Sequence, residues 1–444
     1  MAPSDLVSEI REARALTDSL FGLIKPEALF DRPIAERHRF IFYLGHLEAF
    51  DSNLVAPRAA PSSLDKLFAF GIDPTDGQLP DDKASDWPSE EQVRAYALRA
   101  RDRVDSATRV PATLGAARGD LELLMNVMVE HRLMHAETLA YAMSRLPLDR
   151  KAPQPAERHT PASVPSHAAG PVEIPAGPAT LGRRRDAAGF GWDNEYEEHQ
   201  VDVPAFAIDR VNVTNAQYMQ FVLAGGYKDK SVWSPEAWSW IDGHGIQHPA
   251  FWIRQDEKGE KAENGGKGEV WKYRAMFAHI PLPADWPVYV SHAEASAYAK
   301  WRGASLPTEP QWHRAACATR RGAEFAEPEY ERRMRDGNVN MIRWDPEPVG
   351  ARPATDSDHG VADLAGNGWE WTSTPFAPFA GFEPFPFYPG YSADFFPKEG
   401  PNGVHYVMKG ASPRTAARLV RRSFRNWFQP LYPHVFATFR CVHP

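Results

Sequence analysis

The sequence NVMVEHRLMHAETLAYAM, residues Asn126 to Met143, organises the first part of this chain. Its apolar residues recur at helical spacing with no Gly or Pro between them, so the stretch predicts an amphipathic helix. His131 and His135 then lie one turn apart on the same helix face, where both can reach one metal ion. The pair alone leaves a second interpretation open, because histidines at this spacing also occur on solvated helix faces.

Three further helices are predicted from apolar patterning, polar breaks and capping residues. They run from about residue 3 to 21, from about 34 to 54, and from a cap at Ser89 through VRAYALRARDRVDSA. The helix with the histidine pair begins near Leu114. Four helices of this length predict an up-down bundle, which places side chains of facing helices in a shared interior and often holds metal there.

The second predicted helix supplies a candidate third ligand. His46 is flanked by Leu44, Leu47 and Phe50, an apolar face that should look into the bundle, whereas His38 near the helix start is expected to be solvated. Three histidines are compatible with zinc and equally with non-haem iron that keeps open positions for substrate and dioxygen. The spacing does not choose the metal.

Length and composition restrict the class of protein. A chain of 444 residues predicts two or more domains, and a net charge of −8 argues against a nucleic-acid partner. No apolar run approaches the roughly 20 residues of a membrane-spanning helix, and no signal-peptide core is present, so we expect a cytoplasmic protein without a membrane partner. The two cysteines, Cys317 and Cys441, fit a reducing compartment and are expected in the core. The oligomeric state cannot be derived from these features.

The pattern changes after the bundle. Residues 151–171 are rich in Pro, Ala and Ser and are predicted to be a linker. Residues 172–444 carry short strands and long aromatic loops, which makes the whole chain α+β in class. A strand at 201–208 is followed by a cap at Thr214 and a helix, and the same order of strand, cap and helix repeats around Ser291. Neither segment contains a nucleotide-binding glycine loop.

Four stretches in this second part carry a family resemblance: VTNAQYMQF, SLPTEPQW, LAGNGWEWTSTPF and FATFRC. They resemble the formylglycine-generating-enzyme fold, a loop-rich C-type-lectin-like α+β domain, over residues 172–444. Residues 1–150, with His46 and the His131-x3-His135 motif, resemble the DinB-like four-helix bundle. Joined in this order, the two parts resemble the ergothioneine-biosynthesis sulfoxide synthases and the related selenoneine synthases.

The resemblance implies a chemistry. Family enzymes bind one non-haem iron(II) through three histidines, which correspond to His46, His131 and His135. They use dioxygen to couple a sulfur donor to the imidazole C2 carbon of N-alpha-trimethylhistidine (hercynine), giving a sulfoxide. The substrates supply the four electrons, so no nicotinamide or flavin is implied. The expected partners are small molecules, hercynine together with a thiol or selenium donor.

Further roles follow from the resemblance for the second part. Asn426 and Trp427 match residues that contact trimethylhistidine, and an indole face suits a quaternary ammonium through cation–π attraction. An ordinary core position is the alternative for Trp427. Tyr388 is the first candidate for the proton donor near the iron and Tyr391 is the second, with packed tyrosines as the alternative.

Other positions concern the sulfur or selenium donor. Arg425, Arg94 and Arg99 are candidate cations for binding it. Relatives that use gamma-glutamylcysteine carry Asp where this chain has Phe428, so a partner for the donor's ammonium group is missing. Met134 replaces a Gln common among relatives, which removes a polar contact to the imidazole substrate. The donor is therefore expected to be unusual, either free cysteine or the selenosugar of the related selenoneine synthases. The sequence does not choose among these two and gamma-glutamylcysteine.

Two alternatives to this enzyme class remain at the level of sequence. DinB-like bundles also hold zinc, so a zinc-dependent thiol transferase or hydrolase is one alternative, and a binding module built on both folds is the other. A copper-thiolate oxidase is disfavoured, because the C-terminal region offers only Cys441 where a cysteine pair is needed.

Glu137 lies two residues past His135, off the ligand face, and is expected to support the ligands or pack the helix.

Overall fold

A computed structural model describes the backbone of most of the chain, and the side chains of these segments other than residues 3–5 and 115–120. The described residues are 3–69, 81–109, 115–154, 170–255, 270–398 and 403–444. The chain divides into two compact units, residues 1–155 and 156–444.

Most of the predicted linker, residues 155–169, lies outside the described residues. Its first two residues are part of the first unit. Lys151 is buried and forms a β-bridge with Ile24, and the Ala152 amide donates to the Leu23 carbonyl at 2.8 Å. Composition assigned these two residues to the linker, but the backbone hydrogen bonds attach them to the first unit.

Five helices form the described part of the first unit. They are α1 Pro3–Phe21, α2 Phe40–Val55, α3 Ser63–Leu67, α4 Glu90–Ala107 and α5 Gly115–Ser144. The four predicted helices are therefore present, and the Ser89 cap is confirmed, since its side chain accepts from the Gln92 amide. Helix α3 lies between the second and third predicted helices, where no helix was predicted, and Ser62 and Asp65 form a capping box at its start.

Helix α2 begins at Phe40 and not near residue 34 as predicted. Its N-cap, Arg39, is extended, and the Arg39 guanidinium donates to Asp82 at 2.9 Å and to the Phe30 carbonyl at 2.6 Å. These contacts hold the preceding segment outside the helix. The next twelve positions of α2 are almost all buried, as expected for a helix that is apolar on every side.

Helix α2 is central to the unit because it packs against both α4 and α5, while α1 packs against α5. The faces of α2 and α5 that carry the candidate metal ligands therefore lie in the interior. No described helix combines the length and the apolar character that crossing a membrane requires.

The described part of the second unit contains short strands and short helices, as predicted. The strands are β1 Pro171–Ile174, β2 Gly177–Leu181, β3 His199–Val203, β4 Phe206–Asp209, β5 Trp252–Gln255, β6 Val270–Arg274, β7 His279–Pro281, β8 Gly368–Pro375, β9 Tyr406–Ala411, β10 Asn426–Phe428, β11 Ala437–Thr438 and β12 Val442–His443. The helices are α6 Asn215–Leu223, α7 Pro235–His244, α8 His292–Trp301, α9 Glu309–Cys317, α10 Glu327–Met334 and α11 Gly390–Ala393.

These strands form four small sheets. Their orders are β1-β4-β12, β10-β9-β8-β11, β2-β3 and β5-β6-β7. In the largest sheet, β9 pairs antiparallel with both β8 and β10, whereas β11 pairs parallel with β8. Strand β10 is an edge strand of this sheet and carries Asn426, Trp427 and Phe428.

Two strand predictions need correction. The segment 201–208 is not one strand but parts of β3 and β4, which belong to different sheets, because Pro204 between them has no N–H for a ladder. The segment before Ser291 is not a strand. It forms an isolated β-bridge between Pro287 and Thr214 and backbone hydrogen bonds such as that from the Val290 amide to the Ala437 carbonyl. The caps at Thr214 and Ser291 are both confirmed.

The core of the second unit contains a buried ion pair beside apolar side chains. Arg440 donates to both oxygens of Glu370 at 2.7 Å, and the Trp312 indole N–H donates to the same carboxylate at 2.9 Å.

Cys317 and Cys441 are buried, as predicted, and burial raises the pKa of both thiols above the ordinary value. Both thiols are therefore protonated at neutral pH and poor metal ligands.

Candidate metal centre

The three predicted histidine ligands meet in the interior of the first unit. His46, His131 and His135 are buried, and one ligand atom from each lies within 4.8 Å of the others. The Nε2 atoms of His131 and His135 are 3.1 Å apart. Within the part of the chain that the structure describes, no other group of His, Cys, Asp and Glu side chains meets the same geometric condition.

A backbone carbonyl fixes the orientation of His46. The Nδ1 atom of His46 lies 2.9 Å from the carbonyl oxygen of Phe68, the residue that ends helix α3. An imidazole that donates from Nδ1 keeps its lone pair on Nε2, which is the atom left for a metal ion. The short helix α3 therefore supports the site although it contributes no ligand.

Aromatic rings pack against two of the ligands. Phe50 stacks on His131 with ring centroids 3.5 Å apart and planes 13° apart, and Phe42 stacks on His46 at 4.8 Å and 20°. Both rings come from α2, which therefore supplies a ligand and the walls beside two ligands. Tight packing of this kind restricts the imidazoles to a few orientations.

Burial keeps the three imidazoles neutral. It lowers the pKa of His46 to about 4 and holds the pKa values of His131 and His135 well below the ordinary range, with the neighbouring histidines adding to the effect. A metal ion requires the neutral form of histidine, so no proton has to leave at pH 7. Two nitrogen ligands at right angles, each about 2.1 Å from an ion, lie about 3 Å apart. The distance between His131 and His135 fits this arrangement.

A buried charged group that the sequence analysis missed lies beside the histidines. Arg132 donates to Glu48 at 2.9 Å, to Asp51 at 2.7 Å and to the Leu47 carbonyl at 3.1 Å. Glu48 and Asp51 are the only carboxylates in the apolar sequence of α2, FIFYLGHLEAFDSNLV. Buried carboxylates need partners, so this pattern and the Arg between the two ligand histidines are the signals that could have revealed the contact.

Two predicted arginines do not join the histidines. Arg94 is exposed and pairs with Glu90 at 2.7 Å, one turn earlier on α4, and Arg99 is also exposed. The buried Tyr96 on the same helix donates its hydroxyl to Asp65 at 3.0 Å. Arg94 therefore lies on the exposed face of α4, and its role as a donor-binding cation stays a prediction.

Other predicted positions lie near the ligands along the chain. Met134 is half-buried and Glu137 is buried on α5. His38, which was expected to be solvated, is half-buried and stacks on Phe42 with centroids 4.0 Å apart. It precedes α2 and is absent from the histidine cluster, so the choice of His46 over His38 agrees with the geometry.

In the second unit, Trp427 belongs to a group of stacked rings, here called the aromatic cluster. It lies parallel to Phe376 at 4.1 Å, edge-on to Tyr391 at 5.4 Å and tilted against Phe395 at 5.6 Å. Tyr391 stacks in turn on Trp192 at 3.9 Å. Trp427 remains partly exposed, so its indole can contact a ligand while its neighbours hold it in place.

The remaining predicted residues of this region lie around the aromatic cluster. Tyr388, the first candidate for the proton donor, is half-buried, and its ring centroid lies 5.5 Å from that of Tyr391. The ring of Tyr391, the second candidate, packs against Trp427. Asn426 is half-buried and its side-chain oxygen accepts from the Trp427 amide at 2.9 Å. Phe428 stacks on Tyr432 with centroids 5.5 Å apart.

Arg425 lies in a buried ion pair of the second unit. It is buried, donates to both oxygens of Glu309 at 3.0 and 3.1 Å, and donates to the Ala377 carbonyl at 3.0 Å. A guanidinium with these partners has its donors already engaged by the protein. Arg425 therefore attaches strand β10 to the start of α9, and its predicted role as a donor-binding cation stays a prediction.

Comparison with known proteins first defines the class of the second unit. Residues 157–444 match the family of the Sulfatase-modifying factor enzyme 1-like domain. The chain is 36% identical over 362 residues to the "Hercynine oxygenase" of Mycolicibacterium smegmatis, which covers 78% of this chain and 77% of that protein. It is 34% identical over 358 residues to the protein of the same name from Mycolicibacterium thermoresistibile, with 79% and 74% covered.

A fungal relative extends the similarity along nearly the whole chain. The "Ergothioneine biosynthesis protein 1" of Neurospora crassa is 27% identical over 514 residues, covering 95% of this chain and 55% of that longer protein. The chain belongs to the ergothioneine sulfoxide synthase family and is an enzyme of the oxygenase type. The family resemblance expected from the sequence is confirmed, while the DinB-like character of the first unit stays a prediction.

Proposed function

We propose that this chain is a non-haem iron(II) enzyme that uses dioxygen to couple a sulfur or selenium donor to the imidazole C2 carbon of hercynine. One observation carries the proposal: a buried, neutral cluster of three histidines in a chain that belongs to the family of the hercynine oxygenases. With a thiol donor the product is a sulfoxide on the route to ergothioneine, and with a selenium donor it is the selenium analogue. The reaction balances as thiol plus imidazole C–H plus dioxygen, giving sulfoxide and one water.

The three histidines fit an iron(II) ion. Nε2 of His46 is the nitrogen that remains once Nδ1 has bonded to Phe68, and the close pair His131 and His135 supplies two more. Three protein ligands leave coordination positions open, and iron bound there would activate dioxygen and align the reacting partners. The protein contributes the neutral state of the ligands and the apolar walls beside them.

The aromatic cluster supports binding of the trimethylammonium group. A quaternary ammonium has no N–H to donate, so it is recognised by an aromatic face, and Trp427 is partly exposed within a rigid stack. Tyr391 is held by Trp192 and directed towards Trp427, which makes it our preferred proton donor over Tyr388. Asn426 lies beside Trp427 and is proposed to contact the same substrate.

The identity of the donor depends on Phe428. This ring stacks on Tyr432 where relatives that use gamma-glutamylcysteine carry a carboxylate, so no partner for an ammonium group is supplied at this position. We propose a donor that does not need that contact. A selenosugar, the donor of the related selenoneine synthases, meets this condition. Free cysteine and gamma-glutamylcysteine are the donors to be compared with it.

The test is oxygen uptake by anaerobically purified protein after addition of iron(II), hercynine and each donor in turn. We expect uptake only with iron and hercynine together, and a product whose mass equals the joined substrates plus one oxygen for a thiol donor. His135→Ala should abolish uptake and iron binding, whereas His244→Ala, at an exposed histidine on α7, should change neither. Stoichiometric zinc with an activity indifferent to oxygen would contradict the proposal.

A further inference from the structure

The buried carboxylate of Glu48 is approached by an arginine from each of the other three long helices. Arg132 of α5 and Arg101 of α4 donate to its Oε1 at 2.9 and 2.8 Å, and the Nε of Arg14 in α1 lies 4.0 Å from its Oε2. Glu48 belongs to α2 and is 1% exposed. One residue therefore ties together the four helices of the bundle.

Arg132 of α5 donates hydrogen bonds to three groups of α2 and so links these two helices. Its guanidinium spans one turn of α2, because Nη1 reaches Glu48 while Nη2 reaches both Asp51 at 2.7 Å and the Leu47 carbonyl at 3.1 Å. A planar fork with fixed donor directions restricts both sliding and rotation of one helix against the other. We call Arg132, Glu48 and Asp51 the ionic fork.

The ionic fork lies at the level of the metal ligands. Arg132 directly follows His131 and precedes His135 by three residues on α5, and Glu48 follows His46 by two residues on α2. A displacement of α2 along α5 would therefore move His46 away from the other two ligands. A metal site tolerates only about 0.5 Å of such displacement, whereas apolar contacts between helices allow more.

Stability alone gives a weak reason for these buried charges. Desolvation offsets much of the attraction within a buried ion pair, and well-packed apolar side chains of similar volume often stabilise a protein as much or more. The ionic fork adds a single preferred alignment of α2 against α5. We propose that Arg132 is a positioning residue that aligns His46 with His131 and His135 through Glu48 and Asp51, and thereby sets the affinity and geometry of the metal site.

This inference rests on the proposed metal function, and cobalt(II) titration of the full chain tests both. Arg132→Lys keeps the charge, but a single ammonium cannot reproduce the fork to Glu48, Asp51 and the Leu47 carbonyl. We expect cobalt affinity to fall 10- to 100-fold, the range found when residues that orient metal ligands are replaced. We also expect the visible absorption of bound cobalt to change, since it reports coordination geometry, which a loss of stability alone would not alter.

Arg101→Lys is the matched control. Arg101 also donates to Glu48, yet it is 24% exposed against 2% for Arg132, and its other partner is Asp18 of α1. It therefore links Glu48 to α4 and α1 without holding α5. We expect Arg101→Lys to leave cobalt affinity within about threefold of the wild type and the spectrum unchanged.

The outcomes separate the two ideas. Wild-type protein that binds no cobalt would refute the metal function and the inference with it. Wild-type binding with equal affinity and spectrum in Arg132→Lys would overturn the inference alone and leave the metal function standing. If Arg132→Lys does not fold, Asp51→Asn breaks one arm of the fork, and an unchanged affinity and spectrum in that variant would likewise overturn the inference.

Discussion

His46 has one nitrogen engaged by the protein and one directed to the metal site. The Phe68 carbonyl accepts from Nδ1 at 2.9 Å, and burial lowers the pKa of the ring to about 4. The backbone contact and the dry environment act together, because the first fixes the tautomer and the second keeps the ring unprotonated. The residue is thereby ready to bind a metal ion at neutral pH.

The depressed pKa values of the ligand histidines predict how the stability of the metal-free protein depends on pH. Unfolded histidines titrate near 6.5, whereas folding lowers the pKa of His46 to about 4 and those of His131 and His135 well below 6.5. Between these values the unfolded chain binds more protons. The free energy of unfolding therefore falls as the pH drops from 6.5 towards 4, by up to about 1.4 kcal/mol per pH unit for each histidine.

Urea unfolding of metal-free protein across this pH range measures the effect. His135→Gln removes one titrating group, so its stability should depend less steeply on pH than that of the wild type. Groups distant from the site titrate equally in both proteins and cancel, whereas His131, whose pKa is also lowered by His135, adds to the difference. Identical pH dependence in the two proteins would contradict a lowered pKa of His135 in the folded state.

A second prediction concerns the hydroxyl of Tyr391. Tyr391→Phe should fold normally, because the ring that stacks on Trp192 at 3.9 Å is retained. If this hydroxyl donates the proton, its removal should shift the products from carbon–sulfur coupling towards simple thiol oxidation. Product analysis by mass, with Tyr388→Phe as the matched control, decides between the two tyrosines. A shift in the Tyr388 variant alone would assign the role to Tyr388.

The stability of the helices in the first unit depends on the residues that cap their ends as well as on their buried apolar faces. Helix α4 begins with a capping box in which the Ser89 side chain accepts from the Gln92 amide and the Gln92 side chain accepts from the Ser89 amide. Helix α4 packs against α2, the helix of His46. Its N-terminal cap therefore contributes to the support of the metal site without touching it.

Replacement of the cap should weaken the protein by a defined amount. Ser89→Ala leaves the first amides of α4 without their side-chain partner, and we expect the free energy of unfolding to fall by about 1 kcal/mol. Ser106→Ala on the same helix is the matched control, because this exposed hydroxyl bonds only to the Asp102 carbonyl within the helix. Denaturant unfolding should show a change below about 0.5 kcal/mol for the control. Equal losses would mean that the cap contributes nothing specific.

At the scale of the whole molecule, the two units have separate cores and different construction. The first is built from long helices around three buried histidines, and the second from short strands and stacked rings. The three histidines that would bind a metal ion, His46, His131 and His135, come from α2 and α5. The stabilising effect of a bound ion should therefore be concentrated in the first unit.

Hydrogen exchange with and without bound metal tests this expectation. At a concentration of 100 times the Kd, a bound ion stabilises the folded form by about 2.7 kcal/mol, so exchange in α2 and α5 should slow markedly. Peptides from the sheet that contains β8 and β9 serve as the internal control and should change little. Equal protection in both units would contradict a metal site confined to the first unit.

Sequence alone was sufficient for features that depend on local spacing. The helical period puts His131 and His135 on one face, the Ser89, Thr214 and Ser291 caps begin their helices, and the motifs of the second unit identify the family. Such features depend on residues a few positions apart, where backbone geometry is fixed by the chain itself. His46 could be chosen by its apolar neighbours, but its place beside the other two ligands could not be demonstrated.

Only the tertiary structure decided which distant residues meet. Arg132 contacts Glu48 across 84 positions of sequence and Arg425 contacts Glu309 across 116, and neither distance carries a pattern in a single sequence. The structure shows Arg425 in a buried ion pair with Glu309 that the sequence analysis did not predict. The physical reason is that a charge in the interior must find a partner, and packing determines which partner is within reach.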